Sequence, residues 1–278
     1  MQVQPQMNRQ PPRQWLLPTL APAWLALCLL LATPAAADTL QQRFVPPPGY
    51  ARTPVAARSF GQYLRDLPLQ PPGSRVHTFD GRVKPDSAYV AVIAMDVGKR
   101  DLQQCADAII RLRAEYFFAQ KAFDRIRFAL TNGFVVDWPR WRAGERVAVH
   151  GEHTQWHKAA APSANYANFR RYLDFVFTYA GTLSLDRSLT AKPLAELAIG
   201  DVFVKGGAPG HAVIVVDVAQ NSTGQKAFLL AQSYMPAQEI QVLRNPDDAN
   251  LSPWYRGDFR GPLRTPEWTF SRDQLKTW

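Results

Sequence analysis

The sequence predicts an α+β fold in which a mostly antiparallel sheet packs on an N-terminal helix that carries a cysteine. Three observations predict it. Asn132-Gly133 and Asn221-Ser222-Thr223-Gly224 each separate β-branched or aromatic runs, the pattern of antiparallel hairpins. The stretch from Gly200 to Val218 reads as strand, turn and strand: Val202 to Val204 and Ala212 to Val218 are apolar, and Gly206, Gly207, Pro209 and Gly210 reverse the chain. Apolar residues at helical spacing, including Cys105, Ile109, Leu112 and Tyr116, predict a helix over 102–120. The two hairpin signals disfavour a doubly wound parallel sheet.

In chain order, residues 1–37 read as a signal peptide. Arg9 and Arg13 lie in an acid-free segment, Leu16 to Leu31 is almost wholly apolar, and Pro34-Ala35-Ala36-Ala37 ends in small residues, predicting cleavage after Ala37. Leu25-Ala26-Leu27-Cys28 also resembles a lipobox, but Leu27 occupies a position that normally needs a small residue. Pro18 and Pro22 interrupt the run as a membrane span. The expected product is an exported protein of the periplasm or cell envelope, residues 38–278 forming one domain with no stable membrane span.

Within that domain, Ser59 to Leu67 predicts a short helix, Arg75 to Phe79 an edge strand and Ala88 to Met95 a buried strand. Asp101, with Gln104 three residues on, reads as the N-cap of the long helix and places Cys105 in its first turn. Arg125 to Thr131 and Phe134 to Trp138 form the first hairpin. Arg146 to His150 would continue the sheet, and Gly151 to Ser163 reads as loop. Asn165 caps a second helix over 166–180, ended by Gly181. Thr182 to Ile199 is mixed, Lys226 to Tyr234 pairs with the strand opened by His211, and the tail from Asn245 reads as irregular covering structure.

The formal net charge is +9 and falls to about +7 once Arg9 and Arg13 are lost with the leader. The charges are scattered, which argues for attraction to an anionic envelope and against nucleic-acid binding. Loss of Cys28 leaves Cys105 as the one thiol, so no intramolecular disulfide forms.

A cysteine in the first turn of a helix, a histidine opening a strand and a polar residue on the next strand occur in the order that thiol catalysis needs. Helix N–H groups favour thiolate at Cys105, and His211 would take the proton beside a flexible turn where substrate can reach it. Such a pair would hold the thiol below its free pKa of about 8.5. The orienting third residue is Gln232 or Ser233, depending on register: a turn centred between Ser222 and Thr223 puts Gln232 on the face of His211, and a one-residue change favours Ser233. Packing of Cys105 against the sheet, with no chemistry, fits the same helical spacing.

Gly200-Asp201-Val202-Phe203 followed by Gly210-His211-Ala212-Val213-Ile214-Val215 resembles the corresponding strands of NlpC/P60 and related papain-like amidases, which are cell-wall cysteine hydrolases. That resemblance covers about Cys105 to Tyr234 and implies a papain-like fold with Cys105, His211 and Gln232 as the catalytic set. It departs from the pattern at Gln104 and Ala106, where those amidases have Asp before and Ser or Gly after the cysteine. From about Val45 onward the chain is similar to domain of unknown function 4846, through Asp101-Leu102-Gln103-Gln104-Cys105-Ala106-Asp107-Ala108, Gly210 to Asp217 and Ala231 to Gln238. Two functions follow as expectations. One is an amidase, peptidase or acyltransferase acting on envelope peptide or acyl bonds, with a peptidoglycan-like substrate. The other is a non-catalytic envelope scaffold that keeps a hydrolase-like fold.

His150, His153 and His157 are spaced like ligands, but Gly151 disfavours a common helix and no cysteine completes a zinc set. No metal and no cofactor is expected, since phosphate-cradling glycine loops and a Gly-x-Ser-x-Gly elbow are both missing from the sequence. Trp138, Trp141 and Trp156, with Arg140 and Arg142, read as core and cation–π packing, with a sugar-stacking or partner surface as the alternative.

Overall fold

The computed structural model describes residues 1–2, 38–85 and 88–278, and the predicted leader with its cleavage site lies outside them. Helices α1 (Leu40–Arg43) and α2 (Phe60–Arg65) flank strand β1 (Tyr50–Arg52), and β2 (Tyr89–Val92) leads to α3 (Cys105–Ala119). The hairpin of β3 (Arg127–Ala129) and β4 (Val135–Asp137) is followed by α4 (Trp138–Arg142) and a second hairpin, β5 (Glu145–His150) with β6 (His153–Lys158). Helices α5 (Tyr166–Tyr179) and α6 (Thr182–Ser188) come next. The remainder is β7 (Thr190–Ala191), β8 (Val202–Lys205), β9 (His211–Asn221), β10 (Lys226–Gln232), β11 (Gln241–Leu243), β12 (Tyr255–Arg256), β13 (Leu263–Arg264), β14 (Thr269–Phe270) and β15 (Leu275–Thr277).

Among the described residues, nine strands make one sheet ordered β2-β11-β10-β9-β8-β15-β7, with β1 also on β9 and β12 also on β10. Every pair is antiparallel. The fold is therefore α+β on a large antiparallel sheet, and the described residues from Asp38 onward form one compact unit.

β9 is buried on both faces. Ala212, Ile214, Val216 and Ala219 join the core that holds α3 and α5, whereas Val213, Val215 and Val218 join Phe203, Phe228 and Phe270 under the C-terminal segment. Near the middle of β9 the fully buried Asp217 accepts from Arg52 Nε at 2.7 Å and from Arg65 Nε at 2.6 Å, which fastens β1 and α2 to the sheet.

One irregularity decides how the site end of β9 is presented. From Lys226↔Gln220 to Leu229↔Asp217 the β9–β10 register is regular, and then Leu230 pairs with Val215, so that Val216 is extra. Continued without this bulge, the turn's register would set Ser233 opposite Val213 and turn His211 toward α3. With it, Gln232 is opposite Val213 and shares the face of His211, and that face is turned away from α3.

Several expectations are corrected. The N-cap of α3 is Gln104, because Asp101 uses Oδ1 to accept from Ala237 N at 2.7 Å and from Gln104 Nε2 at 3.1 Å instead. Gly151 to Ser163 is not all loop: His153–Lys158 pairs with Glu145–His150 in a hairpin separate from the main sheet. Arg75 to Phe79 makes only isolated bridges, through His77 and Thr78. Thr182 to Ser188 is helical, and Leu275–Thr277 from the tail enters the main sheet beside β8. The Asn132-Gly133 hairpin and the Asn165-capped helix form as expected.

Candidate functional site

Cys105 is the first residue of α3, buried at 8% exposure. The backbone amides of Ala212, of Ala106 and of Cys105 itself pull its pKa down. These donors favour thiolate, yet the thiol is pushed up to about 11, first by burial and next by the neighbouring Asp107 carboxylate. The expected lowered thiol pKa is thus reversed. Three amide dipoles do not offset the loss of water around a sulfur anion.

Asp107, two residues along the same turn, is raised to about 8 by burial, while the amides of Gln104 and Asp107 pull the other way. Its Oδ2 accepts from Gln104 N at 3.0 Å, and its buried Oδ1 has no partner among the described residues. Around Cys105 a cleft of about 410 Å³ is lined by Asp101, Gln104, Thr182 and the Gly207–Gly210 turn.

His211 begins β9 and is 1% exposed, so the expectation of a reachable imidazole is also corrected. Tyr234, Trp268 and Phe270 pack around the ring with centroids 5.0, 5.5 and 5.9 Å away. Burial lowers its pKa to about 4, against the opposing hydrogen bond to Gln232, and Lys84 lowers it further. Nε2 lies 2.8 Å from Gln232 Oε1.

The protonated nitrogen follows from the next contacts. Gln232 donates Nε2–H to Glu267 Oε2 at 2.5 Å, and Lys84 Nζ holds the same oxygen at 2.6 Å. Since a carboxylate only accepts, the Gln232 amide nitrogen must face Glu267 and its oxygen must face the ring. His211 therefore carries its proton on Nε2, leaving Nδ1 with a free lone pair.

Cys105, His211 and Gln232 are thus brought to one end of the sheet. They are not brought into one hydrogen-bonded triad: among the described residues no hydrogen bond joins Sγ to the ring. Cys105 opens α3, on the face of β9 that carries Ala212, Ile214 and Val216, and the His211 ring stacks on Phe270 on the other face. Both groups are neutral at pH 7. Ser233, the alternative third residue, lies with Oγ 2.8 Å from Gln103 O and 2.7 Å from Gln238 O, which ties the entry to α3 down to the sheet.

A family model matches residues 40–277. The chain belongs to the domain of unknown function 4846 family. No curated protein matches it, and no solved structure does.

Glu267, Lys84, Trp268 and Asp107 were not singled out from the sequence. Glu267 and Trp268 sit in the irregular tail, where no periodicity assigns a face. Asp107 had a signal, since an acid at the third position of a helix commonly caps it. The three histidines spaced like ligands lie on the β5–β6 hairpin, exposed, and no metal-ligand cluster occurs among the described residues. Trp138 and Trp141 are core residues, and Arg140 lies 4.5 Å above the Trp156 ring, as expected for cation–π packing.

Proposed function

We propose that the protein is a cysteine-dependent amidase, peptidase or acyltransferase with a papain-like arrangement, acting on peptide or acyl bonds of the cell envelope. One observation supports it most: Lys84, Glu267 and Gln232 together fix the His211 tautomer that leaves Nδ1 as a base, at the start of the strand on which α3, the helix opened by Cys105, packs. In the reaction, the Cys105 S–H proton passes to Nδ1 as sulfur bonds to the substrate carbonyl carbon. The C–N or C–O bond then breaks, the leaving group takes that proton, and water or an amine resolves the thioester. In this reading the free N–H groups at the start of α3 would receive the carbonyl oxygen. The neutral thiol and imidazole describe a resting state, and the ring must turn toward the sulfur for transfer. Residues 38–278 would act after export, released from the leader.

The second reading, a non-catalytic envelope scaffold, is favoured by the same two groups lying on opposite faces with no hydrogen bond between them. Incubation of the purified native protein with peptidoglycan-derived peptides separates the two, and its N-terminal sequence should begin at Asp38. Turnover lost by about 100-fold or more in Cys105→Ala and in His211→Ala supports the enzyme. Turnover equal in wild type and Cys105→Ala, or undetectable in both, rejects it in favour of the scaffold.

A further inference from the structure

We propose that a pocket between the segment preceding α3 and helix α5 holds a carboxylate of the substrate, so that the enzyme selects anionic peptides. The inference rests on the amidase reading and names its substrate class. The pocket has a volume of about 280 Å³ and shares two wall residues, Leu102 and Phe177, with the cleft at Cys105. A chain bound across Cys105 would reach it by passing over Leu102 and Phe177.

Its charged lining consists of three cations, Lys99, Arg100 and Arg170, against two acids, Asp96 and Asp174. Asp96 is already shared between Arg111, at 2.9 Å, and Arg170, at 3.4 Å, and these two guanidinium groups hold its carboxyl below the ordinary value despite burial. Arg100 reaches Asp174 only at 4.0 Å, and Lys99 has no ion pair among the described residues. Arg170 also keeps a buried Nη1 without a hydrogen-bond partner among the described residues. A concave site with one surplus positive charge suits a single planar carboxylate, which accepts from the weakly paired Arg100 guanidinium and from Lys99 together, with Arg170 holding Asp96 aside.

The test is an NMR titration of purified Cys105→Ser protein with N-acetylalanine and, as a neutral control, N-acetylalaninamide. The acid should shift the amide signals of Gly98 to Arg100 and bind about tenfold more tightly than the amide. Lys99→Gln with Arg100→Gln, both exposed positions, should remove that preference, as should Arg170→Gln. Equal binding of acid and amide, retention of the preference in these variants, or inorganic phosphate binding about tenfold more tightly than the acid would overturn the proposal. Turnover plays no part in the titration. A failed hydrolysis assay would reject the amidase reading while leaving this binding result standing.

Discussion

At the scale of single residues, Cys105 and Asp107 compete for the same dry corner. A carboxylate two residues from a thiol opposes its ionisation, and the Asp107 charge exists only above about pH 8. Iodoacetamide should therefore label native protein slowly at mildly acidic and neutral pH, with the rate rising toward an inflection near 11. Asp107→Asn keeps an acceptor for the Gln104 amide but carries no charge. It should move the inflection down, though still above the free thiol value, because burial is the larger cause. Fast labelling of wild type at pH 6, or an unmoved inflection in the variant, would show that the cleft is wetter than the packing implies. The residue types at this site were legible in the sequence, and their ionisation was not. A helix N-terminus can be read from a cap pattern, whereas desolvation depends on how Thr182, Phe177 and the Gly207–Gly210 turn close around the sulfur.

Among the elements, the β9–β10 pair shows why the third residue stayed open between Gln232 and Ser233. Turn chemistry placed the hairpin, but the register at its far end is set by the bulge at Val216, and nothing in the local residue pattern marks it. The strong helices and the Asn132-Gly133 hairpin were legible because each carries its own cap or turn. The Glu267 to Trp268 segment was not, since its place over His211 comes from tertiary packing alone. Deleting Val216 makes a testable case. The neighbours Leu229↔Asp217 and Leu230↔Val215 would then form a regular ladder, so His211 should still face Gln232. The expected cost is roughly 1.5–3 kcal/mol of lost valine burial. Nitrogen NMR of the imidazole in the deletion variant should still show Nε2 protonated. A folded variant with the Nδ1 tautomer would mean that the bulge, and not the pairing, positions the ring.

For the whole molecule, the two perturbed groups tilt stability with pH in opposite directions. Asp107 rises from 3.8 to about 8 on folding, so the stability linked to its proton is fully present below 3.8 and is lost as pH climbs toward 8. His211 falls from 6.5 to about 4, so its contribution is present above 6.5 and is lost as pH drops to 4. Between pH 4 and 6.5 the folded protein holds one extra proton on Asp107 and lacks one on His211, and the two slopes cancel. From 6.5 to 8 Asp107 acts alone. At about 1.4 kcal/mol per pH unit, that interval should lower stability by roughly 2 kcal/mol, or about 4–8 °C in Tm. Thermal melts of three proteins separate the contributions. Relative to wild type, Asp107→Asn should lose the decline above 6.5 and gain one as pH falls from 6.5 to 4. His211→Gln should instead weaken steadily from pH 4 to 8. If both difference curves are flat, neither group is buried in the ionisation state described, and the neutral resting state of the candidate site falls with it.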